Sequence, residues 1–114
     1  HVRLPWACDI ARHPAILDAV EDIIGPDILV WTSTFFLKEP ETSAITMWHQ
    51  DATYFGLRPH DHITAWVALS DASASSGCME FVPEDGAARL YQHKANADPN
   101  SINGGGQTIS ERLQ

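Results

Sequence analysis

The stretch Trp48-His49-Gln50-Asp51 holds residue types at a spacing that can do chemistry. Side chains alternate along an extended backbone, so an imidazole and a carboxylate one residue apart share a face and can approach one metal ion from the same side. A neutral nitrogen and a carboxylate are two-thirds of the 2-His-1-carboxylate set of non-haem Fe(II) sites, which leaves the opposite metal face open. The tripeptide alone is a weak motif, because about half a His-x-Asp match is expected by chance at this composition and length. The plain alternative is a histidine at a strand end, hydrogen-bonded to a neighbour and doing no chemistry.

Other constellations carry less. His60 and His62 are spaced to share a strand face, with Asp61 or Asp51 nearby in sequence. A zinc site there lacks the remaining ligands at hydrolase spacing, and solvated turn residues explain them more simply. Cys78, in Gly77-Cys78-Met79-Glu80, has no cationic neighbour in sequence to activate a thiolate. The run Gly104-Gly105-Gly106 follows no strand pattern and precedes no Lys-Ser/Thr, so it reads as a connector rather than a phosphate loop.

Composition narrows the class. The 114 residues are 44% hydrophobic and carry seven basic against fifteen acidic side chains, a formal net charge of −8. An acidic chain without a Lys/Arg cluster would repel a phosphate backbone, which argues against nucleic acid as a partner. No apolar run of about 18 residues or basic-then-apolar leader argues for a membrane or export. Cys8 and Cys78 show no framework spacing, so a reducing, cytoplasmic setting is expected.

The elements that must position the motif follow from local pattern. Pro14 suits a first helical turn, Leu17, Val20 and Ile24 recur at helical spacing, and Gly25-Pro26 ends the run, which predicts a helix over 13–24. Extended runs rich in β-branched and aromatic residues follow at 27–38, 44–51, 63–70 and 78–82, separated by polar or proline-containing turns. From 84 onward the composition is that of loop, with one helical turn conceivable over 87–92. The reading is one domain: a helical lead-in over 1–26, a β core over 27–83 and a loop-rich tail over 84–114. Its class is mainly β with a flanking helix, an antiparallel sandwich or barrel.

In order, FFLKEP over 35–40, WHQDATYFGL over 48–57, ITAWVALSDA over 63–72 and GCMEFVP over 77–83 resemble the phytanoyl-CoA dioxygenase family of Fe(II)/2-oxoglutarate oxygenases. The similarity extends to ILDAVEDIIGP over 16–26 and GQTI over 106–109. The resemblance implies a double-stranded β-helix of the jelly-roll type, with His49 and Asp51 as the first two iron ligands. Gln50, Trp66 and Phe35 match positions that line the 2-oxoglutarate pocket, although Trp66 and Phe35 are also good packing residues. Halogenating members carry a small residue in place of the carboxylate ligand, so Asp51 points to hydroxylation of a small-molecule substrate.

The family's later histidine ligand and its arginine for the distal carboxylate of 2-oxoglutarate have no counterpart. His60 and His62 lie too near the motif, His93 matches a loop region, and Arg112 has no histidine ahead of it at a suitable distance. The family's Pro-Gly-Ser-His turn stands here as Pro83-Glu84-Asp85-Gly86. Four strands where a jelly roll uses eight would leave apolar surface in water at about 25 cal/mol per Å². The expectation is therefore the central piece of a longer oxygenase, inactive as this chain, with a second copy or further chain covering the open half-barrel. The alternative is a non-catalytic β-sandwich interaction module with a vestigial metal site.

Overall fold

The computed structural model describes residues 1–83, 89–102 and 105–111, which fall into two compact units, one made of His1–Leu37 with Pro59–Trp66 and the other of Lys38–Arg58 with Val67–Gln114.

Two helices open the first unit. Helix α1 spans Pro5–Ala11 and helix α2 spans Pro14–Ile24, each with a proline in its first turn, where the missing N–H costs no hydrogen bond. The helix expected over 13–24 is thus present as α2, and α1 is a second helix within the helical lead-in expected over 1–26. His13 caps α2, its Nδ1 accepting from the Ala15 N–H at 3.2 Å. Gly25 ends α2 at φ 88°, its N–H donating to the Glu21 carbonyl at 2.8 Å. Ala7 on α1 is the one buried residue among those described, and Trp6 beside it meets Phe35 with ring centroids 5.4 Å apart.

The second unit is organised by a hairpin. Strand β1 (His93–Asn96) pairs antiparallel with β2 (Gly106–Ile109), in the register His93 to Ile109, Lys94 to Thr108, Ala95 to Gln107 and Asn96 to Gly106. The segment carrying the motif runs alongside. The Ile45 N–H donates to the Asn100 carbonyl at 2.9 Å, and the Ile102 N–H donates to the Ile45 carbonyl at 2.8 Å, closing an isolated parallel bridge. A short helix α3, Ala52–Phe55, follows the motif and ends at Gly56 with φ 63°.

The expected β core is corrected at the level of its strands. Among the described residues, 27–38, 63–70 and 78–82 form no strand, and 44–51 makes only the Ile45 bridge. The sheet found has two strands, both in the stretch whose composition suggested loop. The physical reason is that β-branched and aromatic residues favour an extended backbone, but a strand exists only where a neighbour receives its N–H and C=O groups. Residues 89–92 are not helical; the remainder of the helical turn weighed over 87–92, the turn at Pro83 to Gly86, Gly104 and Arg112 reach into or lie in segments outside the described residues.

Large apolar side chains stay open in consequence. Leu29 is 92% exposed, Leu37 80% and Phe81 78%. No described helix is long and apolar enough to cross a membrane.

Candidate metal centre

His49 and Asp51 reach their positions differently from the alternating-strand expectation. His49 lies in irregular backbone, and Asp51 has already turned into the right-handed helical region (φ −58°, ψ −30°) as the residue capping α3. The two side chains nevertheless converge, with His49 Nε2 and Asp51 Oδ1 3.3 Å apart. Metal–nitrogen and metal–oxygen bonds of about 2.1 Å meeting at a right angle hold their donor atoms about 3 Å apart, so the pair is spaced to share one ion.

The imidazole is also oriented through its far nitrogen. His49 Nδ1 lies 2.7 Å from the Met47 carbonyl, which can only accept, so Nδ1 carries a proton and Nε2 is the nitrogen turned to Asp51. A histidine that binds metal through one nitrogen and donates from the other to a carbonyl is oriented by that second bond. The hydrogen bond to Asp51 raises the His49 pKa above its ordinary 6.5. Desolvation opposes the rise, and the Met47 carbonyl and the Asp51 charge reinforce it. Without metal, the two side chains therefore form an ion pair over a range that extends above the usual imidazole pKa.

Gln50, between them, turns away and is fully engaged. Its Nε2 donates to the Arg89 carbonyl at 2.8 Å and its Oε1 accepts from the Tyr91 N–H at 2.7 Å. Its own backbone N–H donates to His93 Nε2 at 3.0 Å. On the other side of His49, the Trp48 carbonyl accepts from the Ile109 N–H at 2.9 Å. These partners, His93, Arg89, Tyr91 and Ile109, escape sequence reasoning, since the nearest lies 39 positions from Gln50 and no local pattern encodes such a pairing.

His49, Gln50 and Asp51 all belong to the second unit, whereas Phe35 and Trp66 belong to the first. Phe35 packs on Trp6, and Trp66 is 46% exposed. Among the described residues no three of His, Cys, Asp and Glu gather in a group that could hold a metal. The zinc reading on His60 and His62 therefore has no assembled ligand set among the described residues, and His49 with Asp51 is a pair without a third such neighbour. His93 cannot face that site as it lies, because its Nε2 is occupied by the Gln50 N–H.

The sequence matches the family model described as phytanoyl-CoA dioxygenase (PhyH) over residues 2–106. The chain belongs to the phytanoyl-CoA dioxygenase family. Among curated proteins it is similar to a phytanoyl-CoA dioxygenase domain-containing protein 1 homolog of Caenorhabditis briggsae, 35% identical over 45% of this chain and 18% of the relative. It is 36% identical to the Danio rerio phytanoyl-CoA dioxygenase domain-containing protein 1 over 60% of this chain and 24% of that protein. A more distant relative is the L-proline trans-4-hydroxylase of Streptomyces griseoviridis, 23% identical over 75% of this chain and 34% of the enzyme. The match thus spans between 18% and 35% of the length of such curated relatives. No solved structure matches the chain.

Proposed function

We propose that this chain carries the His-x-Asp part of the iron site of an Fe(II)- and 2-oxoglutarate-dependent oxygenase of the phytanoyl-CoA dioxygenase type, acting as a hydroxylase on a small molecule. The observation that carries the reading is the convergence of His49 Nε2 and Asp51 Oδ1 to 3.3 Å, with His49 Nδ1 occupied by a carbonyl, inside the matched family segment. The proline hydroxylase relative supports hydroxylation as the reaction class. In the proposed enzyme the domain is a double-stranded β-helix, and a third ligand and an arginine for 2-oxoglutarate join His49 and Asp51, which among the described residues have no third partner of metal-binding type.

Iron bound there would couple the oxidative decarboxylation of 2-oxoglutarate to the insertion of oxygen into a C–H bond. The chain's own groups do the preparatory work. His49 must release its Nε2 proton before it can ligate, while Met47 keeps the Nδ1 proton and so fixes the ring plane. Asp51 supplies an anionic oxygen that offsets the charge of a divalent cation. By the family resemblance Gln50 belongs to the 2-oxoglutarate site. With both ends of its carboxamide engaged by backbone, Gln50 contributes form there rather than hydrogen bonds.

A second reading, a non-catalytic module with a structural His-x-Asp pair, draws on the same contact, because the pair satisfies itself without metal. Anaerobic titration with Fe(II), or with Co(II) as a spectroscopic substitute, separates the two. The oxygenase reading expects weak binding that disappears in both His49→Ala and Asp51→Ala. Binding that is unaffected by both substitutions, or absent even from a longer chain that carries a later histidine, would leave the module reading in its place.

A further inference from the structure

Both peptide groups that flank His49 are held by a single cross-strand pair of the hairpin. Ile109 on β2 donates its N–H to the Trp48 carbonyl at 2.9 Å. His93, the Ile109 partner in the β1–β2 register, accepts the Gln50 N–H on Nε2 at 3.0 Å. Peptide groups are planar, so fixing the Trp48–His49 plane and the His49–Gln50 plane leaves the backbone dihedrals of His49 little freedom. Those dihedrals aim the imidazole relative to Asp51.

The His93 ring can do this in only one neutral form. Its Nδ1 lies 2.8 Å from the Tyr91 carbonyl, an acceptor, and its Nε2 faces the Gln50 N–H, a donor. The proton must therefore sit on Nδ1 and the lone pair on Nε2. Tyr91 is used twice, since its carbonyl orients His93 while its N–H anchors the Gln50 carboxamide. The imidazole thus bridges Tyr91 to the peptide next to His49, and Gln50 returns two bonds to the same segment.

We infer that His93 is a positioning residue: in its Nδ1–H tautomer, it grips the peptide group between His49 and Gln50 and so sets the angle at which His49 and Asp51 present themselves to a metal. The inference rests on the reading of His49 and Asp51 as iron ligands. His93 acts on the pair only through the peptide next to His49, since its two ring nitrogens meet the Gln50 N–H and the Tyr91 carbonyl. Its role lies one step out, where a lost orienting bond characteristically weakens metal binding by about 10–100-fold.

The test uses the 114-residue chain with two substitutions of opposite reach. His93→Gln places an amide oxygen near the position of Nε2 and can still accept the Gln50 N–H. His93→Asn can reach the Tyr91 carbonyl but falls short of Gln50. In anaerobic Co(II) titrations, His93→Asn is expected to weaken binding about 10–100-fold and His93→Gln to restore most of it. Equal affinities for both variants and the parent chain, or equal losses in both variants, would overturn the inference. A metal-free readout keeps it separable from the iron reading. Long-range proton–nitrogen NMR of the apo chain should show the Nδ1–H tautomer at His93, with a Gln50 amide proton protected from exchange in the parent and in His93→Gln but not in His93→Asn. An Nε2–H tautomer, or a Gln50 amide indifferent to both substitutions, would refute the positioning role even where metal binds. Absence of metal binding by the parent chain, with these NMR signs intact, would count against the iron site alone.

Discussion

A histidine proposed as a metal ligand also competes for a proton, and at His49 the neighbour that weighs most in that competition is Asp51. The hydrogen bond to Asp51 holds the His49 pKa above 6.5, with desolvation working the other way. Only the deprotonated Nε2 can bind metal, so affinity should climb as pH rises and level off only above that raised value, later than for a free imidazole. Stepped-pH Co(II) titrations measure this directly, and a plateau already reached below pH 6.5 would contradict it. Asp51→Asn removes both the charge and the stronger acceptor. The His49 ring-proton NMR titration should then move to lower pH, and an unchanged midpoint would mean that the 3.3 Å contact does not persist in solution.

At the scale of elements, local punctuation and long-range pairing act separately. Helix α2 is bounded by His13 with Pro14 at one end and Gly25 at the other, all within its own sequence neighbourhood. Gly25 adopts φ 88° and ψ 177°, a region open essentially to glycine, with nothing within 4 Å of an added Cβ. Gly25→Ala should therefore cost about 1–3 kcal/mol through backbone strain rather than collision, seen as loss of helical circular dichroism on mild heating. Strand formation answers to partners instead. Among the described residues, 29–38 has strand composition without ladder hydrogen bonds, while β1, β2 and the Gln50 amide are paired. Hydrogen exchange should follow pairing, with 29–38 exchanging near the rate of an unstructured chain and Tyr91, Ile109 and Gln50 protected. Protection over 29–38 equal to that of β1 would show that these residues find partners in solution.

For the molecule as a whole, Ala7 is the one buried residue among those described, while Trp31, Phe36, Leu69 and Phe81 each remain more than half exposed. Apolar area left in water forfeits about 25 cal/mol per Å² and contributes nothing to the heat capacity of unfolding. Calorimetry should accordingly show a broad transition with a heat-capacity change well below about 12 cal/mol/K per residue, together with strong binding of an apolar dye by the native chain. A sharp transition of ordinary size that persists at high dilution would mean that these side chains are buried within one chain. The same transition appearing only at high concentration would instead support the proposed covering of the open faces by a second copy.

The sequence by itself determined what rests on neighbours a few positions away: the bounds of α2 and the imidazole and carboxylate at His49 and Asp51. Its ordered blocks, from 16–26 to 106–109, also carried the family resemblance. It misjudged the extended runs, because residues such as Val30 and Phe36 express a preference for extended backbone and not the identity of a partner. Tertiary structure alone decided that Asp51 enters a helix instead of continuing a strand. It also decided that His93, 43 positions beyond Gln50, closes on the peptide beside His49. Such a bond depends on where β1 and β2 meet the motif, and hydrogen-bond geometry at 3 Å is set by that meeting rather than by residue type.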